Sequence, residues 1–145
     1  MVAMADAEIV IRADRAAVFA LLAEPATYAE WVVGADRVRG ADNAWPEPGS
    51  RLHHSVGAAP LTIDDSTEVV AAEPPERLEL LAHLGPLGSF RVELRLEEAG
   101  EGLTHVHMHE EPVEGVSKLA GLVGDAAGRV RNRLSLARLK ALAER

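Results

Sequence analysis

His105, His107 and His109 alternate with Val106 and Met108, and on a strand that spacing puts three imidazoles on one face, able to offer two or three nitrogens to a metal. Val106 and Met108 are the apolar partners, so the histidines belong to the solvated side. A catalytic metal needs a dry pocket and supporting carboxylates. No functional metal site is expected, only adventitious nickel or zinc at the surface.

His54 has the opposite phase, sharing it with Leu52 and Val56, and is expected to face inward. Asp65 and Thr67 share the inward phase of the following strand. A buried carboxylate must be paired or protonated, so an Asp65 to His54 contact follows if the two strands are neighbours. Such a pair can deprotonate a carbon acid or polarise a carbonyl, which makes His54 and Asp65 the candidate catalytic residues. The plainer reading of His54, a hydrogen-bonded polar residue in the wall, is weighed ahead of it. A slip of one residue would put Asp64 inside instead.

These residues need a scaffold. At 145 residues the chain fits one domain spanning 1–145, and 48% hydrophobic content is ample for a single core. Its two Phe, two Trp and one Tyr leave the interior to Ala, Leu and Val. With no cysteine, disulfides, thiolate nucleophiles and thiolate-bound zinc are excluded. The first residues lack a basic leader and an apolar run, and no later stretch approaches ~18 consecutive apolar residues; a cytoplasmic protein without membrane insertion is expected. A net charge of −8 argues against nucleic acid as a partner. From Lys118 onward seven basic residues face two acids, a net of +5 that leaves −13 for the rest. A basic helix on an acidic body reads as an internally complementary pair.

The hydrophobic period supplies the elements. Ala7 to Arg12 is β-branched and strand-like, Asp14 can cap a helix carrying Val18, Leu21 and Leu22, and Pro25 to Trp31 suits a second short helix. Residues 40–50, rich in Gly and Pro, read as a loop. The period then becomes two through Leu52 and His54, Ile63 to Ala71, Leu78 to Leu84, Phe90 to Leu96, and Val106 and Met108, with breaks at Pro74-Pro75, at residues 85–88 and at Gly100 to Gly102. Each strand has one apolar and one charged face, so an antiparallel sheet covered on one side is expected. The cover is the terminal helix, with Leu119, Leu122, Val123, Ala126, Val130, Leu134, Ala137 and Ala141 on one stripe. Gly121, Gly124 and Gly128 predict a kink, a break or a close contact in it. No nucleophile-elbow, phosphate-loop, dinucleotide or kinase pattern is present.

In this order, Ile9-Val10-Ile11 with the Arg15 to Leu22 helix, Pro25-Ala26-Thr27-Tyr28-Ala29-Glu30-Trp31, Gly49-Ser50-Arg51-Leu52-His53-His54, Glu73-Pro74-Pro75-Glu76-Arg77-Leu78, and a terminal helix with Arg131-Asn132-Arg133 and Leu139 resemble the helix-grip superfamily. It is also called START-like or SRPBCC, and within it the chain resembles the polyketide cyclase/dehydrase group of small bacterial proteins. The resemblance implies an α+β fold in which a curved antiparallel sheet of about seven strands wraps a long C-terminal helix, with two short helices after the first strand and a cavity for an apolar ligand. Aliphatic side chains of this size leave such an interior partly unfilled.

Two functions follow. One is binding or carriage of a small hydrophobic molecule, polyketide-, lipid- or aromatic-like; the alternative is a cyclase/dehydrase-type enzyme using the inward His/Asp pair, without a cofactor. Tyr28, Trp31 and Trp45 are expected at the cavity mouth, where they stack on a flat ligand or plug one end of the core. Phe19 and Phe90 are assigned to packing. His54, Asp65, Thr67, Val92, Leu94, Met108 and Asn132 complete the expected ligand-binding set, Glu110 and Glu111 lie near the mouth, and Arg129 and Arg133 face a ligand carboxylate, the acidic body or solvent. A homodimer is compatible with this composition.

Overall fold

A computed structural model describes residues 5–33, 35–58, 61–83, 89–114 and 117–145, with side chains described for all of these except 5, 36, 56–58, 61–63, 114 and 117–127. The elements are β1 (Ala5–Ile11), α1 (Arg15–Leu22), a 3-10 turn (Pro25–Thr27), α2 (Tyr28–Trp31), β2 (Ala35–Ala41), β3 (Arg51–Ala58), β4 (Leu61–Glu73), β5 (Arg77–His83), β6 (Ser89–Gly100), β7 (Leu103–Glu114) and α3 (Ser117–Ala143). The strands form one sheet, β1-β7-β6-β5-β4-β3-β2, antiparallel at every pairing. This is the α+β helix-grip architecture that the resemblance implies.

The inner face carries the core. Leu52, Val69, Leu78, Leu80, Val92, Leu94, Leu96, Val106 and Met108 are buried on it, and α1, α2 and the second half of α3 close it with Val18, Phe19, Leu22, Leu136 and Leu139. The outer face is charged. Arg77 reaches Glu73, Glu79 and Glu93, and Glu93 also accepts from Arg95 at 2.9 Å; Arg95, then Arg77, holds the Glu93 carboxyl down at about 2. Arg12 donates its backbone N–H to Glu144 at 2.7 Å, and Lys140 bonds both Glu144 and the Val10 carbonyl, which ties the end of α3 to β1.

Four expectations need correction. β2 occupies part of the stretch read as a loop; extra residues at Asp36 and Arg39 shift its register twice and erase the period of two. Asp14 precedes α1 in extended conformation, but its side chain makes no capping bond. The buried stripe of α3 is the other one: Asn132, Ser135, Leu136 and Leu139 are buried, whereas Val130 and Leu134 are 54% and 51% exposed and Ala137 and Ala141 face solvent. Hydrophobicity selected the wrong face because the true one includes two polar residues. Finally, of the kink, break or close contact expected at the glycines of α3, the break is absent, because the helix runs uninterrupted over Ser117–Ala143. The side chains of Leu119, Leu122, Val123, Ala126, Val56 and Ile63, the glycines 121 and 124, and the region of Leu84 and residues 85–88 lie outside the described residues.

The internal charge complementarity is partial. Arg131 pairs with Glu110 and Lys140 with Glu144, while Arg129, Arg133 and Arg138 are exposed and have no ion pair among the described residues. No helix among the described residues is long and apolar enough to cross a membrane.

The histidine row lies on the outer face, paired with carboxylates of β1: His105 meets Glu8 at 3.3 Å, while His107 Nε2 and His109 Nδ1 share Asp6 Oδ1 at 3.3 and 2.7 Å. Among the described residues no three His, Asp or Glu side chains converge on a metal position. The hydrogen bond to Asp6 raises the His109 pKa above its ordinary value. A group whose folded pKa is raised stabilises fully below its unfolded value and loses that contribution as pH rises through the folded one. His109→Gln should therefore cost about 0.5 kcal/mol, the scale of a partly exposed pair, in urea titrations at pH 6, and progressively less as pH rises through the raised folded pKa. A cost independent of pH would show that Asp6 does not hold the imidazolium.

A cavity between α2, α3 and the inner sheet

The site begins where α1 ends. Thr27 donates from Oγ1 to the Leu21 carbonyl at 2.7 Å, fixing the turn at Pro25 so that α2 follows at once. α2 thereby drops Tyr28 and Trp31 onto the inner sheet face, their rings edge to face with centroids 6.1 Å apart. On the other side Tyr28 stacks on His54, at 5.3 Å and 21°.

His54 and Thr67 hold this stack from the sheet. β3 and β4 pair with Leu52 opposite Thr67 and His54 opposite Asp65, which puts all four on the inner face. His54 is 1% and Thr67 0% exposed. The Thr67 hydroxyl lies 2.8 Å from His54 Nε2 and 3.1 Å from the Tyr28 hydroxyl, so one oxygen joins two buried side chains, while His54 Nδ1 has no hydrogen-bond partner among the described residues. Burial lowers the His54 pKa, partly offset by the nearby Asp65 charge, and keeps the ring neutral at neutral pH. Burial likewise raises the Tyr28 phenol. These are neutral groups wired by hydroxyls, not an ion pair.

Beside the stack lies a cavity of about 200 Å³. Its apolar wall is Trp31, Val32, Leu80, Val92, Met108 and Phe90; its polar end is Arg131, Asn132 and Ser135 of α3 with Glu110 of β7. Glu110 shares the inward phase of Met108 and sits opposite Val92. It accepts from the Arg131 Nη2 group, and the side chains of the two are 12% and 35% exposed. Burial lowers the Arg131 pKa from its ordinary value. Ser135 accepts the Val33 backbone N–H at 3.0 Å, pinning the segment after α2 to α3 across the cavity.

Of the residues singled out in the sequence, Tyr28, Trp31, His54, Val92, Met108 and Asn132 line the cavity, as does Glu110. Trp45, Asp65, Thr67 and Leu94 are not on the lining. Trp45 is buried in the core within the loop after β2, its indole N–H without a partner among the described residues, and the end of that loop is bonded to Val69 of β4. Asp65 turns Oδ1 onto the Ser66 N–H at 2.8 Å, and Asp64 lies outside, bonded to Ser55 and paired with Arg39. Thr67 acts from behind His54, and Leu94 lies deeper in the core. Phe90, assigned to packing, is on the wall. Arg131 and Ser135 were missed, although an inward Glu110 at the end of β7 calls for a cation.

The curved sheet gripping a terminal helix defines a helix-grip protein. The chain belongs to the family "Polyketide cyclase / dehydrase and lipid transport", whose sequence profile matches residues 3–144. No curated protein matches it in sequence. Among solved structures it is similar to protein CV1439 from Chromobacterium violaceum, with a TM-score of 0.76 and 15% identity over 99% of both chains. It is similar to the Zhui aromatase/cyclase from Streptomyces sp. R1128, with a TM-score of 0.74 and 14% identity over 100% of this chain and 95% of that one. It also matches half of the di-domain ARO/CYC BexL of the BE-7585A biosynthetic pathway, with a TM-score of 0.71 and 18% identity over 99% of this chain and 50% of that one. At these identities the likeness is one of fold.

Proposed function

We propose that this protein binds and carries a small hydrophobic molecule in the cavity between α2, α3 and the inner sheet. The observation that carries the reading is the cavity itself, about 200 Å³ walled by aromatic and aliphatic side chains with a polar cluster at one end. A small apolar ligand in such a space makes contacts with its walls that solvent does not make. Native mass spectrometry of protein purified without denaturation should give one adduct per chain, released on unfolding. Uniformly ligand-free protein that also fails to take up small apolar compounds would contradict the reading.

The second reading is a cyclase/dehydrase-type enzyme, favoured by the neutral His54 on the cavity wall with its link through Thr67 to Tyr28. It ranks second because the partner of the ring is a hydroxyl and not a carboxylate. Loss of turnover in His54→Ala with ligand affinity retained would establish it, and unchanged turnover would remove His54 from any mechanism.

A further inference from the structure

The size of the cavity and the polarity of its end narrow the ligand. An apolar cavity of about 150 Å³ takes up one benzene, and drug-sized ligands occupy pockets of about 300 Å³ or more. At about 200 Å³ this cavity exceeds the first and falls short of the second. A single ring with a short substituent fits this volume, whereas a skeleton of three or more fused rings or a long acyl chain extends beyond it. Tyr28, Trp31 and Phe90 give the wall ring faces and edges, and Met108 adds a polarizable thioether suited to an aromatic neighbour.

The polar end is rich in donors. The Arg131 guanidinium presents five N–H groups and bonds only Glu110 among the described residues. Ser135 lies one helical turn on; its oxygen accepts from the Val33 N–H, and its own proton has no acceptor among the described residues. Unused donors at the end of an apolar cavity are matched by a ligand with a strong acceptor, and a guanidinium fork matches a carboxylate best. Glu110 is the internal competitor, since it holds the cation that a ligand carboxylate would take.

We infer that the cavity takes a single-ring aromatic carboxylate, its ring among Trp31, Phe90 and Met108 and its carboxylate on Arg131 and Ser135. The inference rests on the reading of the cavity as a ligand site.

The test titrates 4-ethylbenzoate, its uncharged analogue 4-ethyltoluene and palmitate into the protein, followed by calorimetry and by backbone amide NMR shifts. 4-Ethylbenzoate should bind at the cavity more tightly than palmitate. Arg131→Met should weaken 4-ethylbenzoate at least tenfold and leave 4-ethyltoluene unchanged, which also reports that the variant is folded. Glu110→Gln should tighten 4-ethylbenzoate severalfold, a gain that loss of a merely structural ion pair would not produce, and it decides the matter if Arg131→Met fails to fold. Tighter binding of palmitate, or an unchanged ratio of acid to neutral affinity in both variants, overturns the inference while leaving the cavity as a ligand site. If none of the three compounds perturbs cavity residues, the proposed function fails with it.

Discussion

Thr67→Val should destabilise the protein by about 3 kcal/mol in urea titrations, because one methyl-for-hydroxyl exchange leaves two buried partners, His54 Nε2 and the Tyr28 hydroxyl, without their bond. The exchange is nearly isosteric, so lost packing does not account for the cost. Against a total stability of about 5–15 kcal/mol for a domain of this kind, the effect is large. Thr67→Ser keeps the oxygen and removes one methyl, and should cost about 1 kcal/mol. A loss in Thr67→Val no larger than that in Thr67→Ser would mean that the hydrogen-bonded link contributes no more than the methyl at this position. The stacked Tyr28 and His54 form one wall of the cavity, so the same substitution should also weaken ligand uptake.

Val92→Phe and Leu94→Phe should differ in sign of consequence although both residues lie on the inner face of β6, two positions apart. Leu94 is fully buried, opposite Leu78 and Met108, and is off the cavity lining. A larger ring there overpacks the core and should cost about 1–3 kcal/mol. Val92 borders the cavity, and a ring there enters space already open. Val92→Phe should leave the urea midpoint unchanged or raise it, while lowering the affinity for a small aromatic probe at least 100-fold. An equal loss of stability at both positions would mean that the space beside Val92 does not accommodate a ring.

Much of this was legible in the residues, for identifiable reasons. β5, β6 and β7 keep strict alternation, so their inner residues follow from phase alone, and His54 and Thr67 were placed inward by the same logic. β2 escaped because its two bulges break the period. The buried face of α3 escaped because Asn132 and Ser135 belong to it: a helix that closes a polar-ended cavity hides polar residues, and the more apolar stripe of Val130 and Leu134 is left outside. Arg131 sits at the margin of that hidden face, and phase alone does not mark a margin. The five aromatic residues divide differently from expectation, with Tyr28, Trp31 and Phe90 on the cavity and Phe19 and Trp45 in the core. A loop of Gly and Pro carries no period, so the direction in which it folds Trp45 had to come from the structure.

The central claim is that the space beside His54 and Met108 is a ligand site, and a methyl-resolved NMR titration with toluene tests it most directly. The account predicts saturable shifts at the methyl groups of Leu80, Val92 and Met108, with Leu52 and Leu139 unmoved, and their abolition in Val92→Phe. Shifts confined to the exposed Val130 and Leu134, or no saturable shift at any of the cavity methyls, would contradict it.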